Sequence, residues 1–110
     1  MSHLDLAAGK WEQMSISEQL ANIGSEVGRA LNAQASGNTA RQESALIRAF
    51  ELFDLTIGSA SIRPSARREA ARARELVVDW FYGGNEYKTN PEMWNKYFNE
   101  FAVVVNSKHF

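Results

Sequence analysis

The stretch that decides the fold is SISEQLANIGSEVGRAL, residues 15–31. Ser15 precedes Glu18 by three residues, which is the pattern of a capping box, where each side chain bonds to the other residue's backbone N–H. The stretch therefore predicts a helix that begins at Ser15, and Gly37 in ASGN predicts its end. The apolar residues recur at steps of three and four, as on one face of a helix: Ile16, Leu20, Ile23, Val27, Ala30 and Leu31.

The following residues repeat this helical period twice. The second predicted helix opens at Thr39, with Gln42 as its capping-box partner, and stops at Gly58. The third begins at Pro64, which suits the first helical position because its missing N–H would be unbonded there. Gly83, followed by a second glycine, predicts the end of the third helix.

The stretch FYGGNEYKTNPEMW, residues 81–94, joins the third helix to the fourth. Asn90 is a good N-cap and Pro91 fits the first helical position, so the fourth helix is predicted to begin there. Residues 83–90 are therefore expected to be a connector, of a length usual between bundle helices. The alternative is a recognition loop, because binding residues concentrate in loops. Its candidate contact residues are Asn85, Glu86 and Tyr87.

Four helices with short connections predict an all-α, single-domain, up-down four-helix bundle over residues 1–110. Residues 1–14 form an N-terminal segment. Either Leu4, Leu6 and Trp11 pack as a lid over one end of the bundle, or the first residues are mobile.

Two glycines inside the first helix predict a close helix contact. Folding the chain about the loop near Ser36 places Gly28 opposite Ala45, and Gly24 opposite Ala49. A glycine inside a helix costs about 0.5–1 kcal/mol relative to alanine. Close approach of the first two helices would offset that cost, so we expect both glycines to be covered.

Composition argues against several classes of function. The formal net charge of −1 gives no global attraction to nucleic acid or to an anionic membrane. The sequence has no cysteine, which removes disulfides, thiolate metal sites and thiol nucleophiles. No apolar run reaches the ~18 residues of a membrane span. These features are typical of a cytoplasmic protein.

The sequence carries no recognisable catalytic motif. The two histidines, His3 and His109, lie in terminal segments, so a H-E-x-x-H zinc helix is absent. Glu26 flanks the inner stripe of the first helix and Asp79 lies between core residues; we expect both to be solvated or salt-bridged. No catalytic, cofactor-binding or metal-binding residue is predicted.

The segment IRPSARREAARARE, residues 62–75, sets five arginines against two glutamates. Three of the arginines open a helix, where the helix dipole disfavours cations. One reading is internal pairing, in which Asp54 lies near Arg67, and Glu51 near Arg67 and Arg74. The other is an anion site for phosphate, RNA or an acidic partner. The candidate residues of this anion site are the three arginines that the internal pairing does not use: Arg63, Arg68 and Arg72.

Ile47 and Leu55 lie on the side of the second helix opposite its inward stripe. They form a candidate interface, because a symmetric homodimer is the commonest way to cover an apolar patch. Two alternatives stay open: the N-terminal segment covers them, or both are exposed.

Three stretches, WEQMSISEQLANIGSEVGRA, ALIRAFELFDLTI and DWFYGGNEY, together resemble a group of small uncharacterised prokaryotic all-helical proteins. The resemblance extends over most of the chain from Trp11 onward. It implies a stand-alone bacterial or archaeal domain, and it implies no activity, cofactor or catalytic residue.

The sequence thus favours a non-enzymatic helical protein that acts through protein–protein contacts, either with another protein or with a second copy of itself. The alternative is a nucleic-acid or phosphate-binding module that uses the arginines of the third helix. Neither interpretation involves a cofactor or a membrane.

Overall fold

The computed structural model describes residues 9–107, and this part of the chain is helical without any strand. Residues 9–13 belong to a first helix, α1. Four long helices follow: α2 (Ile16–Ala35), α3 (Thr39–Ile57), α4 (Pro64–Tyr82) and α5 (Pro91–Ser107). The all-α prediction is confirmed. The predicted number of four helices is not confirmed, because α1 is a fifth helix within the described residues.

The helix starts are set by local side-chain caps. Ser15 Oγ accepts from the backbone N–H of Glu18 at 3.1 Å, and Glu18 Oε1 accepts from the N–H of Ser15 at 3.3 Å, so the predicted capping box is confirmed. The predicted cap of the next helix is wrong by one residue. Asn38, not Thr39, caps α3, and its Oδ1 accepts from the N–H of Arg41 at 3.1 Å.

The core is organised around α2, which packs mainly against α3 and α5, while α4 packs against α3. Five of the six apolar residues of the predicted α2 stripe are fully buried, and Ile16 is half-buried. Burying each large apolar side chain contributes about 1.5–3 kcal/mol. The buried cluster is Trp11, Leu20, Ile23, Val27, Ala30, Leu31, Ala45, Leu46, Ala49, Phe53, Ala73, Val77, Trp94 and Phe98.

The closest helix contact at Gly24 involves α5. A Cβ placed on Gly24 would lie 2.5 Å from the Cβ of Phe98, so the bare backbone of α2 makes room for this side chain. A Cβ on Gly28 would meet no atom within 4 Å. The predicted contact of Gly28 with Ala45 is therefore wrong, whereas that of Gly24 with Ala49 stays a prediction. Both glycines are half-buried.

A buried chain of hydrogen bonds ties α1 to α2 and α3. The indole N–H of Trp11 donates to Thr56 Oγ1 at 2.9 Å, and the Thr56 hydroxyl donates to Gln19 Oε1 at 2.8 Å. The Gln19 amide returns a bond to the carbonyl of Trp11 at 2.8 Å. The lid prediction is confirmed for Trp11, while Leu4 and Leu6 lie outside the described residues.

Candidate functional site

A groove lies between α4 and α5, next to the loop that joins them. Its volume is about 240 Å³. We call it the α4–α5 groove; its lining residues are Glu69, Arg72, Ala73, Leu76, Thr89, Met93, Trp94 and Tyr97. Four of these are apolar, and two of the four, Ala73 and Trp94, are buried. The groove is therefore an apolar depression with a charged and hydroxylic rim.

Tyr97 and Glu69 close one side of this groove. The phenol of Tyr97 donates to Glu69 Oε1 at 3.1 Å, which links α5 to α4. Burial, reinforced by the negative charges of Glu69 and Glu100, raises the pKa of the Tyr97 phenol well above its ordinary value. Tyr97 therefore stays protonated and keeps one oxygen of Glu69 occupied.

Two of the five arginines in residues 62–75 are used within the fold. Arg67 donates to the carbonyl of Ile57 at 3.0 Å and to that of Ser59 at 2.8 Å, so it satisfies carbonyl groups at the end of α3. Arg74 Nε donates to Asp54 Oδ1 at 3.0 Å. The prediction that acidic residues of α3 pair with arginines of α4 is thus confirmed for Asp54. Its partner is Arg74, however, and the predicted pair of Asp54 with Arg67 is wrong.

The predicted pairing of Glu51 with Arg67 or Arg74 is not found either. Glu51 makes no ion pair with any described residue. Arg74 instead places its guanidinium 5.1 Å from the ring centroid of Phe50, a cation–π contact between α4 and α3.

The other three arginines of this segment are exposed. None of them forms an ion pair or a side-chain hydrogen bond with a residue between 9 and 107. Arg63 is the N-cap of α4 and makes no side-chain capping bond. Arg72 lines the α4–α5 groove, whereas Arg63 and Arg68 do not. The structure thus leaves the predicted anion-binding set of Arg63, Arg68 and Arg72 available to a ligand.

The α4–α5 loop is held by a buried carboxylate. Asp79 is 7% exposed; its Oδ1 accepts from the N–H of Glu86 at 2.8 Å and its Oδ2 from the N–H of Tyr87 at 3.1 Å. The expectation of a solvated or salt-bridged Asp79 is therefore wrong. Sequence alone could not show this, because the two donors are backbone groups that the loop brings back over the end of α4.

The candidate recognition residues of this loop differ in what they present. Asn85 is used internally, since its Nδ2 donates to the carbonyl of Thr89 at 3.0 Å and its Oδ1 accepts from the N–H of Thr89 at 2.8 Å. Glu86 and Tyr87 have exposed side chains. Asn90 caps α5 by accepting from the N–H of Met93 at 2.9 Å, as predicted. Recognition by the loop stays a prediction.

The candidate interface residues on α3 are not equally exposed. Ile47 is 59% exposed, whereas Leu55 is half-buried and packs against the core. Phe50, which lies between them in the sequence of α3, is half-buried, and its ring centroid lies 6.4 Å from that of the exposed Tyr82 on α4.

The described residues hold no group of three or more histidine, aspartate or glutamate side chains arranged to bind a metal ion. No helix in this part of the chain has both the length and the apolar character needed to cross a membrane. Comparisons with protein-family models, with curated proteins and with solved structures find no match. The resemblance to small prokaryotic all-helical proteins therefore stays a prediction.

Proposed function

We propose that the chain is a non-enzymatic protein that acts through protein–protein contacts, with the α4–α5 groove as its docking site. The occupant is a segment of another protein that inserts one large apolar side chain and places a carboxylate beside Arg72. The size of the groove, combined with an unpaired arginine on its rim, carries this proposal. The four long helices would act as an up-down bundle in the cytoplasm of a prokaryotic cell.

The volume of the groove favours a side chain over a cofactor. Pockets for cofactors and drug-sized molecules usually span ~300–1,000 Å³, and a cavity of ~150 Å³ accepts benzene. At about 240 Å³, the groove has room for one aromatic or long aliphatic side chain. Met93, which is 51% exposed, can adapt its unbranched side chain to the shape of that group.

Arg72 provides a charge on the rim with which an acidic group of a partner can pair. One oxygen of Glu69 already accepts the Tyr97 phenol, whereas Arg72 has no ionic partner among the described residues. A carboxylate placed beside an arginine can form two parallel hydrogen bonds. Tryptophan, tyrosine, methionine and arginine are also the residue types enriched in protein interfaces, and the groove has one of each.

The test is selection from a random peptide display library with the full chain as bait. We expect the enriched peptides to share one large apolar residue close to an aspartate or glutamate. Arg72→Glu should reverse the charge preference toward lysine or arginine, and Met93→Lys should abolish binding of the selected peptides. The matched control is Lys96→Glu, which reverses a charge on α5 outside the groove and should change nothing. Enriched peptides that bind the Met93→Lys variant unchanged would refute the proposal.

A nucleic-acid or phosphate-binding role is the second candidate, because Arg63, Arg68 and Arg72 are all exposed and unpaired in the described chain. Binding of this kind weakens steeply as salt rises, since counterions are released from the polyanion. Replacing all three by glutamine should abolish retention on heparin or RNA without lowering the thermal midpoint. Absence of retention of the wild-type protein at low salt would eliminate this candidate.

Self-association through Ile47 and Leu55 is a further form of the protein-contact proposal. The exposure of Ile47 supports it, but the burial of Leu55 leaves a smaller apolar surface than the sequence predicted. Mass in solution, measured by light scattering, should be that of a dimer for the wild type and of a monomer for Ile47→Lys. A monomeric wild-type protein at high concentration would end the homodimer hypothesis.

A further inference from the structure

A second concave surface lies between the C-terminal half of α2 and the N-terminal half of α3. It is an open cleft of about 640 Å³, which falls within the size range of small-molecule sites. We call it the α2–α3 cleft. Its polar lining residues are Arg29, Asn32, Ser36, Arg41, Ser44 and Arg48. Three of these are arginines, and none of the described residues that line the cleft is acidic.

Two of the arginines are held by one carboxylate that does not itself line the cleft. Glu26 Oε1 accepts from Arg29 Nη1 at 2.6 Å, and Glu26 Oε2 accepts from Arg48 Nε at 3.0 Å. The side chain of Glu26 is 13% exposed, which confirms the prediction of a salt-bridged flank. A guanidinium has five N–H donors, so each arginine keeps donors that Glu26 does not use. The pair is therefore oriented in advance and carries a net positive charge.

The third arginine adds a cation that nothing in the described chain neutralises. Arg41 makes no ion pair and no side-chain hydrogen bond with residues 9–107. It lies in the first turn of α3, which contains no acidic residue. The positive end of the helix dipole reinforces its charge there. The cleft is thus lined by three guanidinium groups, of which two share the carboxylate of Glu26 and the third has no ionic partner among residues 9–107.

We propose that the α2–α3 cleft binds a small molecule that carries a phosphate or pyrophosphate group. Arginine forks match the geometry of phosphate oxygens, and prior orientation of the arginines reduces the entropy lost on binding. The phosphate lies between Arg41 and the free donors of Arg48 and Arg29. The amide of Asn32 and the hydroxyl of Ser44 are available to the rest of the ligand.

The lining favours a small ligand over nucleic acid. Proteins that bind single strands combine a basic groove with aromatic side chains on which successive bases stack. No described residue that lines this cleft is aromatic. The predicted nucleic-acid residues do not line the cleft. Arg68 and Arg72 belong to α4, and Arg63 is its N-cap.

The experiment is isothermal titration calorimetry of the full chain with inorganic pyrophosphate at low salt. We expect saturable binding by the wild type. Arg41→Gln should weaken it at least about tenfold, because a hydrogen bond to a charged group is lost. Ser44→Glu, which puts a carboxylate into the cleft, should abolish it. Both positions are exposed, so circular dichroism should show unchanged thermal midpoints.

Lys96→Gln is the matched control, because it removes one positive charge from an exposed position on α5. It should bind pyrophosphate as the wild type does. Three outcomes would overturn the proposal: no heat of binding for the wild type at millimolar pyrophosphate, equal losses for Arg41→Gln and Lys96→Gln, or an unchanged affinity of Arg41→Gln. An RNA oligonucleotide that binds more tightly than pyrophosphate and depends on Arg41 would assign the cleft to nucleic acid, which also overturns it.

Discussion

Gly24 of α2 and Phe98 of α5 lie so close that there is no room for a side chain at position 24. A Cβ on Gly24 would come within 2.5 Å of the Cβ and 2.6 Å of the Cγ of Phe98. Since the Phe98 Cβ is attached to the backbone, it cannot swing away as the end of a flexible side chain could. The helices would have to separate to admit a methyl group.

We therefore predict that Gly24→Ala lowers the free energy of unfolding by about 1–3 kcal/mol, the usual range for overpacking a core. Gly28→Ala is the matched control one helical turn away. It has no atom within 4 Å of the new Cβ, and it should raise stability by about 0.5–1 kcal/mol through helix propensity. Urea unfolding measures both. Equal stabilisation by the two substitutions would contradict the contact between Gly24 and Phe98.

A second prediction concerns the hydroxyl of Thr56, which accepts from Trp11 and donates to Gln19 in a buried position. Thr56→Val keeps the shape of the side chain but leaves the Trp11 indole N–H and Gln19 Oε1 without their hydrogen bonds to Thr56. The free energy of unfolding should therefore fall by about 2–4 kcal/mol. Thr56→Ser keeps the hydroxyl and should cost only about 1 kcal/mol for the lost methyl group. Denaturant titrations compare the two. If valine is tolerated as well as serine, the hydrogen-bond chain does not stabilise the fold.

The third prediction concerns the loop held by Asp79. Asp79→Asn replaces one of two acceptor oxygens by a donor, so at least one of the N–H groups of Glu86 and Tyr87 loses its partner. We expect a loss of about 1–3 kcal/mol and faster amide hydrogen exchange at both positions. Glu86→Gln changes an exposed side chain of the same loop and should leave exchange unaltered. Protected amides in Asp79→Asn would show that the loop is held in another way.

The fourth prediction follows from the raised pKa of Tyr97. Below pH 10 the phenol is protonated in both the folded and the unfolded chain, and it makes its full contribution to the free energy of unfolding. Above the unfolded pKa of about 10, the unfolded chain loses the proton first, so the stability contributed by Tyr97 falls as pH rises. Wild-type stability should therefore decline above pH 10 more steeply than that of Tyr97→Phe. Denaturant midpoints at pH 8 to 11 test this, and parallel pH profiles of the two proteins would contradict it.

Features that depend on residues close in sequence could be predicted. The capping box joins Ser15 to Glu18, and the cap at Asn90 bonds to the N–H of Met93, so each depends on residues only three positions apart. Both are present in the structure. The α3 cap was misplaced by one residue because Asn38 and Thr39 are neighbours and both residue types can cap. Local chemistry thus determines where these helices begin.

Features that depend on register between helices could not be predicted from the sequence. Asp54 pairs with Arg74 instead of Arg67 because Arg67 turns toward the carbonyls at the end of α3. The α2–α3 cleft is equally non-local, since Arg29 and Arg48 are brought together by a shared carboxylate across two helices. A sequence pattern does not specify how two helices rotate about their axes, and that rotation decides these contacts.

The hydrogen bond between Trp11 and Thr56 joins residues that are 45 positions apart in the chain. A ribosome that adds about 5–20 residues per second delivers Trp11 roughly 2–9 s before Thr56. During that interval the indole ring has no Thr56 to bond with, and α2 lacks the surface of α3 against which it packs. The Trp11 side chain therefore cannot complete its native contacts before α3 has been synthesised, so the docking of α1 during translation depends on a helix encoded downstream.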